Sequence, residues 1–363
     1  MMMTSAAVSA AAFMGENMKS VLTAAEMKAW DEGTIRDLGI PSAVLMEKAA
    51  LAIADRVEHY RQSRGLAVED VTVLAVCGTG NNGGDGAACV RILAMRGYRT
   101  ALCLTGSEDR FSPDMAAQTA VCRKLGIPEI PPEDFSSYTV IIDAVFGIGL
   151  SRPAEDRTGA FRAMAASGAY VISADIPSGV ESDHGYVRGA VVKADETVTM
   201  QSYKAGHLLY PGAAYCGHIS VADIGIRPLP GYAGCVTDAS DLSLIPPRRP
   251  RSNKGSYGKV LMVAGSRNMC GAALMACEAA LRAGCGMVRL VTEEANRVIV
   301  QSRLPEVMLE TWHNADEAAA AVRKALPWAD TAACGPGLGT GEAAEAAVTT
   351  LLTESDINLI LDA

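Results

Sequence analysis

No stretch of the 363 residues holds the roughly 18 consecutive apolar residues that a membrane helix needs. Positive charge is in the minority, with 32 Lys and Arg against 41 Asp and Glu and a formal net charge of −9. That balance argues against nucleic acid as the main partner, because binding a phosphate backbone needs a basic surface. It leaves open a small phosphate-bearing ligand, for which backbone amides and a helix N-terminus can suffice. No pair of the ten cysteines has CxxC spacing, which removes a zinc ribbon and a thioredoxin-type motif. The five histidines are dispersed, so neither a His-based metal site nor a Ser-His-Asp triad is supported. Residues 1–17 lack the basic and long apolar regions of a signal peptide. There is no short tandem repeat.

What is present is the composition of a folded protein, with 49% hydrophobic and 20% charged residues. The length predicts two domains or one large one. The cysteines read as reduced, mostly buried thiols of a cytoplasmic protein. Residues 1–18 are expected to be a loose tail. Thr23, with Glu26 three residues on, has the form of a capping box opening a helix. Gly39-Ile40-Pro41 breaks that helix, and a second runs from Ser42 to Val57. Apolar strands then alternate with helices: strands at 71–77, 100–104, 140–144, 170–176, 191–200 and 218–221, helices at 87–96, 113–124 and 159–167. The pattern predicts a largely parallel sheet covered on both faces. The Pro/Arg-rich run inside 241–252 reads as a stiff linker. After it the alternation restarts: strands at 259–264, 287–292, 331–334 and 358–361, helices at 271–283, 315–325 and 342–353.

The densest chemical signal is Gly78-Thr79-Gly80-Asn81-Asn82-Gly83-Gly84-Asp85-Gly86, where an apolar strand meets a helix. Glycines let a backbone approach a ligand closely, and ligands of open α/β sheets bind at the carboxyl ends of the strands. The segment is neither a GxGxxG dinucleotide fingerprint nor a Walker loop. Three further polar clusters fall at strand ends. They are Asp143 followed by Phe146 to Leu150, Asp175-Ile176-Pro177-Ser178-Gly179, and Lys204-Ala205-Gly206-His207. Each acidic residue alone could be a helix cap. Asp85, Asp143 and Asp175 converging on one rim point instead to acid–base work, a hard cation, or both.

Taken together, GTGNNGGDG, DAVFGIGL, DIPSGV and ADETVTM followed by Lys204 resemble the N-terminal domain of the YjeF family, the NAD(P)H-hydrate epimerases. The resemblance covers residues 19–240 and implies a Rossmann-like three-layer α/β fold. Residues 253–363 resemble the opening part of the ribokinase-like, ADP-dependent NAD(P)H-hydrate dehydratase. That second resemblance is carried by Lys254 to Lys259, Gly265-Ser266, Gly271-Ala272-Ala273, Pro305-Glu306 and Gly335 to Gly339. Asn253 and Ala50 stand where those families often have histidine and glycine.

The resemblance implies a substrate, NADHX or NADPHX, hydrated at C6 of the nicotinamide ring, whose R and S epimers the first domain interconverts. It places substrate contacts at Asn81, Asn82, Gly83, Gly84 and Asp85, along Gly147, Ile148, Gly149, Leu150, Ser151, Arg152 and Pro153, and at Asp175. It places K+ on Asn82, Asp143 and Ser178. Epimerisation needs a proton shuttle on the C6 hydroxyl, for which Asp175 and Asp85 are the candidates, with Lys204 as a more electrostatic catalytic group. For the second half it implies ADP, with Mg2+ as a candidate companion, and substrate contacts at Ala272, Gly337 and Gly339. The chain stops as it enters the Asp-Ala-Asp motif of that family, at Asp362-Ala363. The second half is therefore expected to be truncated and inactive as a dehydratase. A homo-oligomer is expected. The rival readings are a non-catalytic interaction module, which need not keep Asn82, Asp85, Asp143 and Asp175 together, and a ribokinase-like kinase, which lacks its nucleotide-binding half.

Overall fold

The computed structural model describes residues 19–150, 152–229, 234–245 and 247–362. The expected tail at 1–18 lies outside the described residues. The chain divides into two compact units, up to Ile245 and from Pro246 onward.

The first unit opens with β1 (Lys19–Leu22), α1 (Ala24–Leu38) and α2 (Ser42–Ser63). The capping box is present: the Glu26 amide donates to the Thr23 hydroxyl, and the Thr23 amide donates to the Glu26 carboxylate. Gly39 closes α1 in the left-handed conformation that glycine adopts without a Cβ clash. Next come β2 (Thr72–Cys77), α3 (Asn81–Met95), β3 (Arg99–Leu104), α4 (Pro113–Lys124) and β4 (Val140–Ala144). They are followed by α5 (Ala160–Ala166), β5 (Tyr170–Ala174), β6 (Glu196–Met200), β7 (Tyr203–Lys204), α6 (Ala205–Leu208), β8 (His218–Ala222) and β9 (Gly234–Val236).

Six of these strands form one sheet in the order β3-β2-β4-β5-β6-β8, and every pairing in it is parallel. Side chains alternate between its faces as strand geometry demands. Val73, Ala75 and Cys77 join the core built with α1 to α4, whereas Leu74 and Val76 pack with Phe161 and Met164 of α5. This is the three-layer α/β arrangement. The order reverses between β2 and β4, so the loops after these two strands diverge and leave a crevice at the carboxyl edge.

Several boundaries differ from the sequence expectation. Helix α3 starts at Asn81 rather than Ala87, so most of the glycine-rich segment is helix. Strand β5 stops at Ala174 because Asp175 turns left-handed, with φ 65°. Strand β6 begins at Glu196 rather than Val191. Residues 192–195 instead bond irregularly, the Val192 amide to the Ser178 carbonyl and the Ala194 amide to the Tyr215 carbonyl. A small sheet in the order β7-β1-β9 was not expected, because its strands have two to four residues and no alternation long enough to read. Eight of the ten cysteines are buried.

The second unit contains β10 (Lys259–Val263), α7 (Cys270–Ala283), β11 (Met287–Glu293), α8 (Arg297–Arg303) and β12 (Met308–Trp312). It continues with α9 (Ala315–Ala325), β13 (Thr331–Cys334), α10 (Glu342–Glu354) and β14 (Asn358–Leu361). Its five strands are also all parallel, in the order β12-β11-β10-β13-β14. Leu261 and Val263 face α9 and α10, and Met262 faces α7. Strand β12 and helix α8 were not expected. Among the described residues no helix of the protein is long and apolar enough to cross a membrane.

The glycines of α3 are packing requirements. A Cβ on Gly83 would lie 2.1 Å from the Gly78 carbonyl oxygen, whereas one on Gly149 would meet nothing within 4 Å. We expect Gly83→Ala to destabilise the protein by about 2 kcal/mol or more and Gly149→Ala by less than about 0.5 kcal/mol. Urea unfolding of the two variants checks the difference.

Candidate active site

At the crevice of the first unit lies a cavity of about 750 Å3. Its floor is the loop after β2, the first turn of α3 and the loop after β4. Its far wall is made by α1 and α2. Asn81, Asn82, Asp85, Asp175 and Lys204 line it, as do Gly147 to Leu150.

Asp175 is set at the end of β5 by its left-handed backbone, a conformation that Asp tolerates better than most residues. Its amide donates to the Val198 carbonyl at 2.8 Å, which ties the turn to β6. The carboxylate meets the Lys204 ammonium at 2.7 Å and accepts a longer bond from the Ile148 amide at 3.3 Å. Lys204 is fully buried, and its Nζ also donates to the Thr199 hydroxyl at 2.8 Å and the Met200 carbonyl at 3.0 Å. An ammonium has three donors, and all three are committed within the protein. Burial alone would push the Asp175 carboxyl up, but the Lys204 charge and hydrogen bond outweigh it and hold the group below the usual carboxylate range.

Asp85 has the opposite character. It sits half-buried on α3 facing the cavity. Burial, and then the negative fields of Asp175, Asp31 and Asp114, push its carboxyl well above the usual range. The pKa values of two carboxyls of one cavity are thus pushed in opposite directions.

Asp143 does not join them on the cavity surface. It is fully buried in β4. One carboxylate oxygen accepts from the Ser178 hydroxyl at 2.6 Å; the other accepts from the Ser178 amide and the Ser173 hydroxyl, both at 2.8 Å. Burial outweighs these bonds and raises its pKa. The Ser178 hydroxyl in turn accepts from the Phe146 amide at 2.9 Å. Asn82 abuts the same turn, close to Gly147, and its side-chain nitrogen is buried without a partner. Among the described residues no cluster of three His, Cys, Asp or Glu could hold a metal. Asn82, Asp143 and Ser178 carry amide, carboxylate and hydroxyl oxygens, the ligand types that a hard cation takes.

The remaining expected positions divide. Gly83 and Gly84 are buried behind the rim, Gly84 against Met46 of the cavity wall. Arg152 and Pro153 are exposed and do not line the cavity. Ser151 lies outside the described residues. In the second unit Gly337 comes close to Ala272, a Cβ on it meeting the Ala272 methyl at 2.9 Å. The Ser266 amide donates to the Gly337 carbonyl at 2.7 Å, and Gly339 lies beside Ser266. These loops form a second rim at the carboxyl edge of β10 and β13.

Sequence reasoning missed the cavity's far wall. Met27, Lys28, Asp31 and Glu32 come from α1, Ser42 and Met46 from α2, and Asp114 from α4, where it accepts a hydrogen bond from the Ser42 hydroxyl. None carries a local motif; their helices read only as amphipathic. Gln201, also left-handed at φ 62°, was missed too. Its side-chain oxygen accepts from the Ile224 and Ile226 amides, both at 3.2 Å, and so pins another part of the wall.

An open parallel sheet with a switch-point cavity, lined by two carboxyls whose pKa values are pushed apart, defines an α/β domain with a candidate acid–base site, here followed by a second α/β domain. Residues 42–206 match the family model for the YjeF-related protein N-terminus, and residues 260–363 that for NAD(P)H-hydrate dehydratase. The bifunctional NAD(P)H-hydrate repair enzyme of Thermofilum pendens is 35% identical over 362 residues, covering 94% of this chain and 67% of that protein. The NAD(P)H-hydrate epimerase of Oenococcus oeni is 41% identical over 202 residues, covering 54% of this chain and 92% of that protein. Among solved structures, the ADP/ATP-dependent NAD(P)H-hydrate dehydratase of Bacillus subtilis, co-crystallised with ATP and Mg2+, is 36% identical. That match covers 32% of this chain and 41% of the other, with a TM-score of 0.28. The chain belongs to the family of bifunctional NAD(P)H-hydrate repair enzymes.

Burial raises the Asp85 pKa above that of the unfolded chain, so the folded protein holds this proton to higher pH and stability falls as pH rises from the usual carboxylate range. We expect Asp85→Asn to raise the melting temperature at pH 7 and to raise it less at pH 4. Thermal melts of both proteins at the two pH values check this; a gain independent of pH contradicts it.

Proposed function

We propose that the first unit interconverts the R and S epimers of NADHX and NADPHX. The observation that carries the reading is the pair of carboxyls lining one cavity, Asp85 pushed up in pKa and Asp175 held down by Lys204. Epimerisation must break and remake a bond at C6, which bears both the hydroxyl and a bond to the ring nitrogen. Asp85, holding its proton, gives it to the departing hydroxyl while the nitrogen lone pair forms a C=N bond. Water then adds to the other face, and the proton it releases returns to the Asp85 carboxylate through water in the cavity. Asp175 is held too acidic to serve well as a base. As a fixed anion in a partly dry cavity it stabilises the positive charge that develops on the ring. Lys204 orients Asp175 and does not bind substrate, since its donors are already used.

The uncapped first turn of α3 presents amides to the cavity at Asn81 and Asn82, an arrangement that favours the pyrophosphate. Asn82, Asp143 and Ser178 would hold the potassium ion that the family resemblance implies. When bound, that ion supplies positive charge beneath the same loop and favours the ionised form of Asp143. The ionisations give the pH dependence its direction. Activity falls in acid as Asp175 takes up a proton, and in alkali as Asp85 loses one. We expect Asp85→Asn to lower the rate of epimer exchange about 10²- to 10⁴-fold and to remove the alkaline limb. Chromatographic separation of R- and S-NADHX over time measures both, and wild-type rates in Asp85→Asn exclude it as the shuttle. A non-catalytic module would show no exchange with the unaltered protein.

For the second unit we propose that residues 253–363 do not by themselves dehydrate S-NADHX with ADP. Among the described residues strand β14 pairs only with β13 and leaves Ile360 and Leu361 64% and 56% exposed. ADP-dependent formation of NADH from S-NADHX by the 363-residue protein, followed at the NADH absorbance, is expected to be absent; turnover overturns the reading.

A further inference from the structure

We propose that His207 is a positioning residue of the epimerase site, a buried two-ended clamp between the backbones of Asp175 and Lys204. The inference rests on the epimerase reading above. His207 is 1% exposed and does not line the cavity, so it cannot touch substrate. Its two ring nitrogens reach the two residues of the buried ion pair. Nδ1 lies 3.0 Å from the Lys204 amide, and Nε2 lies 2.8 Å from the Asp175 carbonyl oxygen.

The partners settle the chemistry. An amide N–H can only donate, so Nδ1 accepts; a carbonyl can only accept, so Nε2 carries the hydrogen. Only the neutral Nε2–H tautomer serves both ends. Burial and the neighbouring Lys204 charge favour that neutral form, pushing the imidazole down to about 4.

The clamp acts where the backbone resists. Asp175 is one of two described non-glycine residues with positive φ, and such a conformation persists only where its surroundings over-determine it. The Asp175 amide is held by Val198, its carboxylate by Lys204 and its carbonyl by His207. The carbonyl bond opposes rotation of the 175–176 peptide and, with the amide and carboxylate bonds, holds the left-handed turn that aims the carboxylate at Lys204 and the cavity.

Two substitutions separate the two ends of the clamp. In His207→Gln the side-chain amide nitrogen falls near the place of Nε2 and can still donate to the Asp175 carbonyl. In His207→Asn the side-chain oxygen falls near the place of Nδ1 and can still accept from the Lys204 amide, but nothing reaches Asp175. We expect His207→Asn to lower kcat for epimer exchange about tenfold or more, the scale on which small misplacements of a reacting group are felt, with KM within about twofold. His207→Gln is expected to recover most of that loss. Melting temperatures of both variants are measured alongside. Equal kcat in wild type and His207→Asn overturns the proposal, as does an equal fall in kcat in both variants, which would mark a merely structural histidine. Absence of exchange in the wild-type protein instead overturns the epimerase reading itself.

Discussion

The ion pair between Lys204 and Asp175 is the constraint from which the rest of the first unit's edge follows. Placing an ammonium and a carboxylate in a protein interior is expensive, and their attraction repays it only when the remaining donors and acceptors are satisfied. Here the satisfaction is complete on the lysine side. Its three donors go to Asp175, the Thr199 hydroxyl and the Met200 carbonyl, which forces the end of β6 and the turn after β5 to meet around one nitrogen. Lys204 also belongs to β7, which pairs with β1 in register Leu22 to Lys204. Strand β1 leads directly into α1, whose first amide is held by the Asp183 carboxylate at 2.6 Å. The same lysine therefore orders the cavity carboxylate Asp175 and anchors the chain that carries the cavity's far wall.

The contrast between Asp85 and Asp175 comes from their partners rather than their depth. Asp175 is buried and Asp85 half-buried, and burial pushes both pKa values upward. Asp175 has a cation at hydrogen-bond distance that reverses the shift. Among the described residues no cation pairs with Asp85, and the carboxylates around it push it further in the same direction. Moving the lysine from one carboxyl to the other would exchange their roles. The sheet supplies the placement, because the loops after adjacent parallel strands open on one edge.

Much of this was legible in the residues. Mostly apolar strands such as Val140–Ala144, interrupted only by Asp143, and capped helices such as α1 and α4 carry their structure locally, and their limits follow from sequence. The residues Asn81, Asn82, Asp85, Asp175 and Lys204 were readable as a rim because each follows a strand in an alternating pattern. What could not be read is what only the tertiary structure determines. Asp143 has the same sequence signature as Asp175, yet it lies inside its strand, enclosed by Ser173 and Ser178. Arg152 and Pro153 extend the polar loop in sequence but leave the cavity in space. Asp31 and Asp114 reach the cavity only because α1 and α4 pack across it. The short strands β1, β7 and β9 exist through their pairing and not through any pattern of their own.

The start of α3 shows why the glycine-rich segment was misjudged as a loop. Glycine costs a helix interior roughly 1 kcal/mol relative to alanine, and α3 carries three within its first six residues, so local propensity argues for a later start. The tertiary structure overrides it. Side chains at Gly83, Gly84 and Gly86 would strike the Gly78 carbonyl, Met46 and Ala144. The glycines let the helix begin hard against β2, β4 and α2, and this close approach brings its first amides and Asp85 to the crevice. A helix with alanine at these positions would be intrinsically better formed but would have to stand away from the sheet. The glycines therefore trade helix propensity for position, and it is the position that sets Asp85 facing the same cavity as Asp175.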